Sequence, residues 1–156
     1  MDKTCILIVD DNPEIREIIE ILLTGEGFAV DQAGNGTQAL AMLKEKHYDL
    51  IILDIMMPGP NGYQTCRKIR ELSNAPILFL SARTKESDKT LGFSSGGDDY
   101  LAKPFSYNEL ISRSKALIRR YQVYKGKNES GNQSVNSASV NPTADPISST
   151  SNASDS

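Results

Sequence analysis

Five polar residues lie at the points where predicted strands of this chain end. Asp10 and Asp11 follow the first strand, Asp54 the third, Ser81 the fourth and Lys103 the fifth. Carboxylates held close together repel one another, and a folded protein keeps such a group only where positive charge offsets the repulsion. Carboxylate and water oxygens suit Mg²⁺, a hard cation that prefers octahedral ligation. The pattern predicts an acidic magnesium site, with the Lys103 ammonium as a second positive charge.

The same residue types are the components of a phosphoryl-transfer site. Asp54 follows the most apolar segment, Leu50–Leu53, and is the candidate nucleophile. A metal ion and Lys103 would stabilise the oxygens of the transferring group, and the Ser81 hydroxyl would donate a hydrogen bond to one of them. Such catalysis consists mainly of positioning and charge stabilisation, and a carboxylate can hold the phosphoryl group as an aspartyl phosphate.

Strands and helices alternate along the chain and would bring these side chains together. Apolar runs typical of buried strands are bounded by turn residues. The predicted strands are Thr4–Val9, Phe28–Gln32, Leu50–Leu53, Ile77–Leu80 and Asp99–Ala102. Strands that alternate with helices predict an α/β fold, with a parallel sheet covered by helices on both faces. In such folds the functional site lies beyond the carboxyl ends of the strands.

Capping residues and apolar spacing predict the helices between the strands. Asn12 can cap the first helix, and Pro13 suits its first position. The other helices are predicted at Thr37–Lys46, after the loop at 58–62, at Glu86–Ser95, and from a capping box of Ser106 and Glu109 onward. Apolar stripes are expected on the first helix at Ile15, Ile18, Ile19 and Leu22, and on the third at Cys66, Ile69 and Leu72.

The composition is that of an ordinary globular chain with a polar tail. The 156 residues are 38% hydrophobic and 24% charged, and the net charge of −3 gives no reason to expect general affinity for DNA or membranes. With no recognisable secretory signal, a cytoplasmic protein with reduced thiols at Cys5 and Cys66 is expected. The folded domain is predicted at 1–124, followed at 125–156 by a Ser/Asn-rich tail or linker that we expect to be disordered.

The chain resembles the receiver domain of two-component response regulators over about residues 3 to 121. The matching strings are ILIVDDNPEIR, DLIILDIMMPGPNGYQTCRKIR, PILFLSAR and GGDDYLAKPF. The resemblance implies a doubly wound five-stranded parallel sheet of the flavodoxin-like (βα)5 kind, with strand order 2-1-3-4-5. It also implies Mg²⁺ as the cofactor and a sensor histidine kinase as the phosphoryl donor.

The resemblance implies roles for individual residues, with Asp54 as the phosphoryl acceptor. The implied metal ligands are Asp10, Asp11, Asp54 and the backbone carbonyl of Met56. Ser81 and Lys103 would bind the phosphoryl group, and the bond between Lys103 and Pro104 would be cis. On phosphorylation Ser81 would move toward the new group, and Tyr100 would turn inward into the space that Ser81 leaves.

A subfamily resemblance concerns the surface formed by the fourth predicted helix, the fifth strand and the last helix. This surface is similar to that of transcriptional regulators with a winged-helix output domain, whose phosphorylated receivers form a symmetric dimer through ion pairs between subunits. The matching residues, called the charged face below, are Lys89, Asp98, Asp99, Glu109, Arg113 and Arg120. An ordinary solvated surface is the alternative interpretation. No segment here resembles the output domain, so DNA binding by this chain itself is not expected.

Other interpretations of the site remain open. A stand-alone receiver, acting as a phosphorelay intermediate or a protein-binding switch, would differ only in its output. A haloacid-dehalogenase-type phosphatase uses a second aspartate where this chain has Met56. A flavodoxin-like electron carrier needs hydrogen-bond donors for a flavin phosphate after the first strand, where this chain has acids. Beyond self-catalysed transfer to Asp54, no enzymatic activity is expected. Because Met56 and Arg83 are poorly suited to orient an attacking water, slow self-dephosphorylation is predicted.

Overall fold

A computed structural model of the chain describes residues 3–82 and 96–134. Within these ranges one parallel sheet is formed by β1 (Cys5–Val9), β2 (Ala29–Ala33), β3 (Leu50–Asp54), β4 (Ile77–Ser81) and β5 (Asp99–Ala102). The strand order is β2-β1-β3-β4-β5, which confirms the predicted fold class and topology. Each predicted strand agrees with the observed one to within one residue at either end.

Four helices connect and flank the described strands. They are α1 (Pro13–Thr24), α2 (Gly36–Glu45), α3 (Gly62–Ile69) and a C-terminal helix (Tyr107–Ser134). The side chain of Asn12 accepts hydrogen bonds from the backbone N–H groups of Glu14 and Ile15, which confirms it as the cap of α1. The helix predicted at Glu86–Ser95 lies outside the described residues.

The core lies on both faces of the sheet, because alternate side chains of each strand point in opposite directions. One face packs against α2 and α3 through residues such as Leu53 and Phe79. The other face packs against α1 and the C-terminal helix through residues such as Ile52 and Leu78. The central strand β3 is buried along its whole length. Burial on both sides fixes where each strand ends, and therefore where the polar residues that follow it lie.

Two predicted apolar stripes are wrong at one position each. Ile18 is 40% exposed, because α1 turns Ile19 and Leu23 into the core instead. Leu72 is 44% exposed, because α3 ends at Ile69 and Leu72 lies in the turn that follows.

The capping box predicted for the C-terminal helix forms in part. The Ser106 hydroxyl oxygen accepts a hydrogen bond of 2.9 Å from the backbone N–H of Glu109. The Glu109 carboxylate lies 3.0 Å from the Arg113 guanidinium, one turn further along the helix. The side chain of Glu109 therefore supports the helix through an ion pair.

The C-terminal helix extends further than the predicted folded domain. The sheet belongs to a compact unit at Met1–Tyr121, whereas the helix continues to Ser134, past the expected domain end at Tyr124. The domain boundary stays a prediction, and residues 135–156 lie outside the described ranges. Among the described residues, no helix has the length and apolar character needed to cross a membrane.

Candidate functional site

Four parallel strands end at the same edge of the sheet and place four of the predicted site residues there. Asp10 follows β1, Asp54 and Ser81 are the last residues of β3 and β4, and Lys103 follows β5. In the sheet, Asp54 of β3 lies beside Leu80 of β4, and Ser81 of β4 lies beside Ala102 of β5. The side chains converge because the carboxyl ends of parallel strands meet at one edge.

Lys103 lies between two buried carboxylates. Its Nζ is 3.2 Å from Oδ2 of Asp10 and 3.4 Å from Oδ1 of Asp54. Backbone groups hold both acids in place: the Asn12 N–H donates to Asp10 at 2.9 Å, and the Met56 N–H donates to Asp54 at 3.3 Å. The Lys103–Pro104 peptide bond is cis, as the resemblance implies. The site therefore presents an ammonium group directly to the Asp54 carboxylate.

Three carboxylates crowd together at this edge. Oxygens of Asp10, Asp11 and Asp54 all lie within 4.8 Å of one another. Asp10 and Asp54 are buried and Asp11 is exposed. Burial and the neighbouring charge of Asp10 raise the pKa of Asp54 to about 6, although Lys103 opposes the shift. One ammonium group therefore does not compensate the negative charge of the cluster.

The donor set fits a hard divalent cation. The three carboxylates supply oxygen ligands within a small volume, and the exposed Asp11 leaves room for the water ligands that Mg²⁺ retains. A cation would also offset the burial and the charge of Asp10 that together raise the pKa of Asp54. Met56 is bonded to Asp54 through its N–H, which places its backbone beside the cluster, and its carbonyl as a ligand stays a prediction.

The loop after β3 is fixed against the acceptor strand by Gly62. The Gly62 N–H donates a hydrogen bond of 2.9 Å to the carbonyl of Ile55. A Cβ atom at Gly62 would lie 2.5 Å from the carbonyl oxygen of Asp54, so only glycine fits without moving backbone. Asn61 and Gln64 form a reciprocal capping box that starts α3 at this point. The beginning of α3 is thus tied to the backbone of Asp54.

The predicted switch residues are both buried. Ser81 lies at the end of β4, where its carbonyl accepts a hydrogen bond of 2.6 Å from the Lys103 N–H. The ring of Tyr100 lies inside the protein against Phe79, and its hydroxyl is hydrogen-bonded to the hydroxyl of Tyr63. The structure therefore shows Tyr100 inward, and its expected inward turn on phosphorylation stays a prediction. Sequence analysis did not single out Tyr63, because no local pattern marks a contact between α3 and β5.

Members of the charged face make ion pairs within the chain. Asp99 pairs with Arg113 at 2.8 Å, and the same guanidinium pairs with Glu109. Asp98 pairs with Arg70 at 2.8 Å and accepts the N–H of Ile77. Of the other two members of the charged face, Arg120 lines a small cavity beside Asp98, and Lys89 lies outside the described residues. Arg83, named above for its effect on self-dephosphorylation, also lies outside them.

An apolar groove of about 430 Å³ lies next to Lys103. It is formed by α1 and by the segment between β5 and the C-terminal helix, and its lining residues are Ile15, Ile18, Lys103, Pro104, Phe105 and Tyr107. Ile18 and Tyr107 are exposed there, as is Ile21 further along α1. Exposed apolar side chains grouped in this way are typical of protein-binding surfaces.

Comparison with known proteins identifies the family. A family model described as the response regulator receiver domain matches residues 6–115. The transcriptional regulatory protein ResD of Bacillus subtilis is 47% identical over 119 residues, which cover 76% of this chain and 50% of that protein. The DNA-binding response regulator MtrA of Mycolicibacterium smegmatis is 47% identical over 115 residues, which cover 74% of this chain and 50% of that protein.

The chain spans about half the length of these curated relatives. A solved structure of a two-component response regulator from Clostridium difficile superposes with a TM-score of 0.73 and 32% sequence identity. That match covers 76% of this chain and 98% of the solved one. The similarity therefore extends over the sheet and the site together.

Proposed function

Because this chain belongs to the response regulator receiver family, we propose that it accepts a phosphoryl group on Asp54 from a sensor histidine kinase and switches its charged face in response. The observation that carries the proposal is the position of the Lys103 ammonium, 3.4 Å from Asp54 and 3.2 Å from Asp10. Members of this family are not classical enzymes, and the only reaction proposed is transfer to the chain's own carboxylate.

In the proposed reaction an oxygen of Asp54 attacks the phosphorus atom of the donor. A bond forms between this oxygen and phosphorus, and the bond to the phosphohistidine nitrogen of the kinase breaks. Negative charge on the transferring oxygens is stabilised by Lys103, which already lies within reach of Asp54. The Ser81 hydroxyl, at the end of the neighbouring strand, would donate a hydrogen bond to the bound group.

We assign Asp10, Asp11, Asp54 and the carbonyl of Met56 as the residues that would hold Mg²⁺. When bound, the ion supplies positive charge for the phosphoryl oxygens and offsets the repulsion between the carboxylates. The close oxygens of the three acids support this assignment. The raised pKa of Asp54 supports it too, because burial and the charge of Asp10 make the ionised carboxylate unfavourable, and a cation would offset both.

The groove beside Lys103 is the proposed docking surface for the kinase. A protein that delivers a phosphoryl group to Asp54 must contact the edge of the sheet where Lys103 emerges. The groove offers exposed apolar side chains there, including Ile18 and Tyr107. Because the chain belongs to the receiver family, we propose both a histidine kinase partner and a cytoplasmic location for it.

The proposed output is a phosphorylation-dependent homodimer through the charged face. Phosphorylation adds roughly 1.5 to 2 negative charges at Asp54, which would draw Ser81 and Lys103 toward the new group and favour the inward Tyr100. Ion pairs such as that of Asp99 with Arg113 would then exchange between two chains. Because the relatives are transcriptional regulators, control of transcription through a winged-helix domain outside this chain is the proposed end point.

Intact-mass spectrometry tests the proposed acceptor. The chain is incubated with acetyl phosphate and Mg²⁺, and Asp54→Asn is treated in parallel. We expect the wild type to gain one phosphoryl group and the variant to gain none. If the variant gains as much as the wild type, Asp54 is not the acceptor. The rate at which the added mass disappears tests the predicted slow self-dephosphorylation, and a lifetime of seconds would contradict it.

A further inference from the structure

Two tyrosines from distant parts of the chain share a hydrogen bond inside the core. Tyr63 lies in the first turn of α3 and Tyr100 in β5, and their hydroxyl groups are directly bonded. Tyr63 is 7% exposed and Tyr100 is 6% exposed. Phe79 of β4 packs against both, with ring centroids 5.3 Å from Tyr63 and 5.4 Å from Tyr100. In its inward position Tyr100 is therefore in direct contact with α3.

The position of Tyr63 is in turn set by the end of the acceptor strand. Its neighbour Gly62 donates a hydrogen bond to Ile55 and packs directly on the carbonyl of Asp54. This contact is between backbone atoms, which cannot move aside independently as a flexible side chain can. A shift in the backbone at Asp54 would therefore be transmitted to Tyr63.

We propose that Tyr63 is a positioning residue that holds Tyr100 inward through this hydroxyl pair and couples Tyr100 to the backbone of Asp54. The proposal deepens the proposed function and rests on it for the role of Tyr100 as the switch. It adds a connection through α3 that does not pass through Ser81. The resemblance leaves Tyr63 without a role, and the proposal gives it one. Tyr63 sets the fraction of molecules in which Tyr100 is inward.

The size of the effect follows from the energy of one buried hydrogen bond. Rotation of Tyr100 toward solvent breaks its bond to Tyr63, while the Tyr63 ring stays packed on Phe79. Loss of one such bond changes a population ratio by roughly two- to tenfold. Tyr63→Phe removes the hydroxyl and keeps the ring, so it should change the position of Tyr100 with little change in packing.

Nitration of tyrosine by tetranitromethane measures this population, because the reagent modifies exposed rings faster than buried ones. The full chain is treated without any phosphoryl donor, and the rate at Tyr100 is read from peptide masses. We expect Tyr63→Phe to raise this rate roughly two- to tenfold. Tyr48→Phe is the matched control, since it removes a buried tyrosine hydroxyl that bonds to Asp31 at 2.7 Å, away from Tyr100.

An unchanged rate at Tyr100 in folded Tyr63→Phe would overturn the proposal, as would an equal rise in Tyr48→Phe. If Tyr63→Phe does not fold, as judged by its circular dichroism, Tyr63→Leu provides a second test, because it keeps an apolar side chain that cannot bond to the Tyr100 hydroxyl. That variant should also raise the nitration rate of Tyr100, and no rise would overturn the proposal. Phosphoryl uptake by the wild type is measured separately by intact mass, so a failure of the acceptor assignment is distinguishable from a failure of this contact.

Discussion

Replacing Asp54 with asparagine is expected to raise the free energy of unfolding at neutral pH in metal-free buffer. The carboxyl is buried beside Asp10, and burial and that charge raise its pKa from 3.8 to about 6. Its ionised form is therefore less favourable in the folded protein than in the unfolded chain. Asparagine has nearly the same shape and no charge, so the variant avoids this penalty.

The sign and size of the effect follow from the pKa difference. The folded protein holds this proton more tightly than the unfolded chain, so the stabilisation by the neutral carboxyl is fully present below pH 3.8 and is lost as the pH rises through about 6. A difference of about two pKa units corresponds to about 3 kcal/mol. Asp54→Asn should therefore match the wild type near pH 4 and exceed it by about 2–3 kcal/mol at pH 7.5.

Urea unfolding followed by circular dichroism measures the difference, in EDTA, at several pH values between about 4 and 8. Subtracting the wild-type curve removes the titration of the other groups that the two proteins share. Glu17→Gln is the control, because Glu17 is an exposed carboxylate on α1 away from the cluster. That variant should show no such pH-dependent gain. Equal stability of Asp54→Asn and wild type at pH 7.5 would refute the reasoning.

Three further changes test the packing of the site, the charged face and the metal ligands. Gly62→Ala should lower the free energy of unfolding by about 1–3 kcal/mol, because its Cβ would meet the backbone of Asp54, whereas Gly126→Ala should not; equal urea midpoints would contradict this. Arg113→Ala should weaken phosphorylation-dependent dimers in sedimentation velocity, whereas Lys115→Ala should not, because Lys115 lies two residues further along the helix and pairs with Glu26 instead; unchanged dimers in Arg113→Ala would count against the charged face. Millimolar Mg²⁺ should raise the melting temperature of wild type more than that of Asp54→Asn, and an equal rise would place the ion elsewhere.

The fold was largely predictable because its determinants are local or periodic. The run Leu50–Leu53 is apolar throughout, which is the pattern of a strand buried on both faces. Asn12 followed by Pro13 marks the start of α1 for reasons of backbone chemistry alone. Once the strands are known to be parallel, the residues after them must meet at one edge. The convergence of Asp10, Asp54 and Lys103 therefore follows from topology.

The remaining features depend on contacts between distant segments, which no local pattern encodes. The bond between Tyr63 and Tyr100 joins α3 to β5 and requires the relative positions of both. Likewise, Arg70 donates to the carbonyl of Gly96 and pairs with Asp98, contacts that its neighbours in the sequence do not indicate. Apolar spacing also could not show that Leu72 lies past the end of α3, since the helix ends where packing ends.

The most direct test of the central claim identifies the residue that carries the phosphoryl group. Borohydride reduces an aspartyl phosphate to homoserine and leaves unmodified carboxylates intact, so reduction after treatment with acetyl phosphate and Mg²⁺ marks the acceptor. Peptide mass spectrometry should find homoserine at position 54 in the wild type and at no other aspartate. Homoserine at Asp10 or Asp11, with Asp54 unchanged, would contradict the assignment of the acceptor on which the proposed function rests.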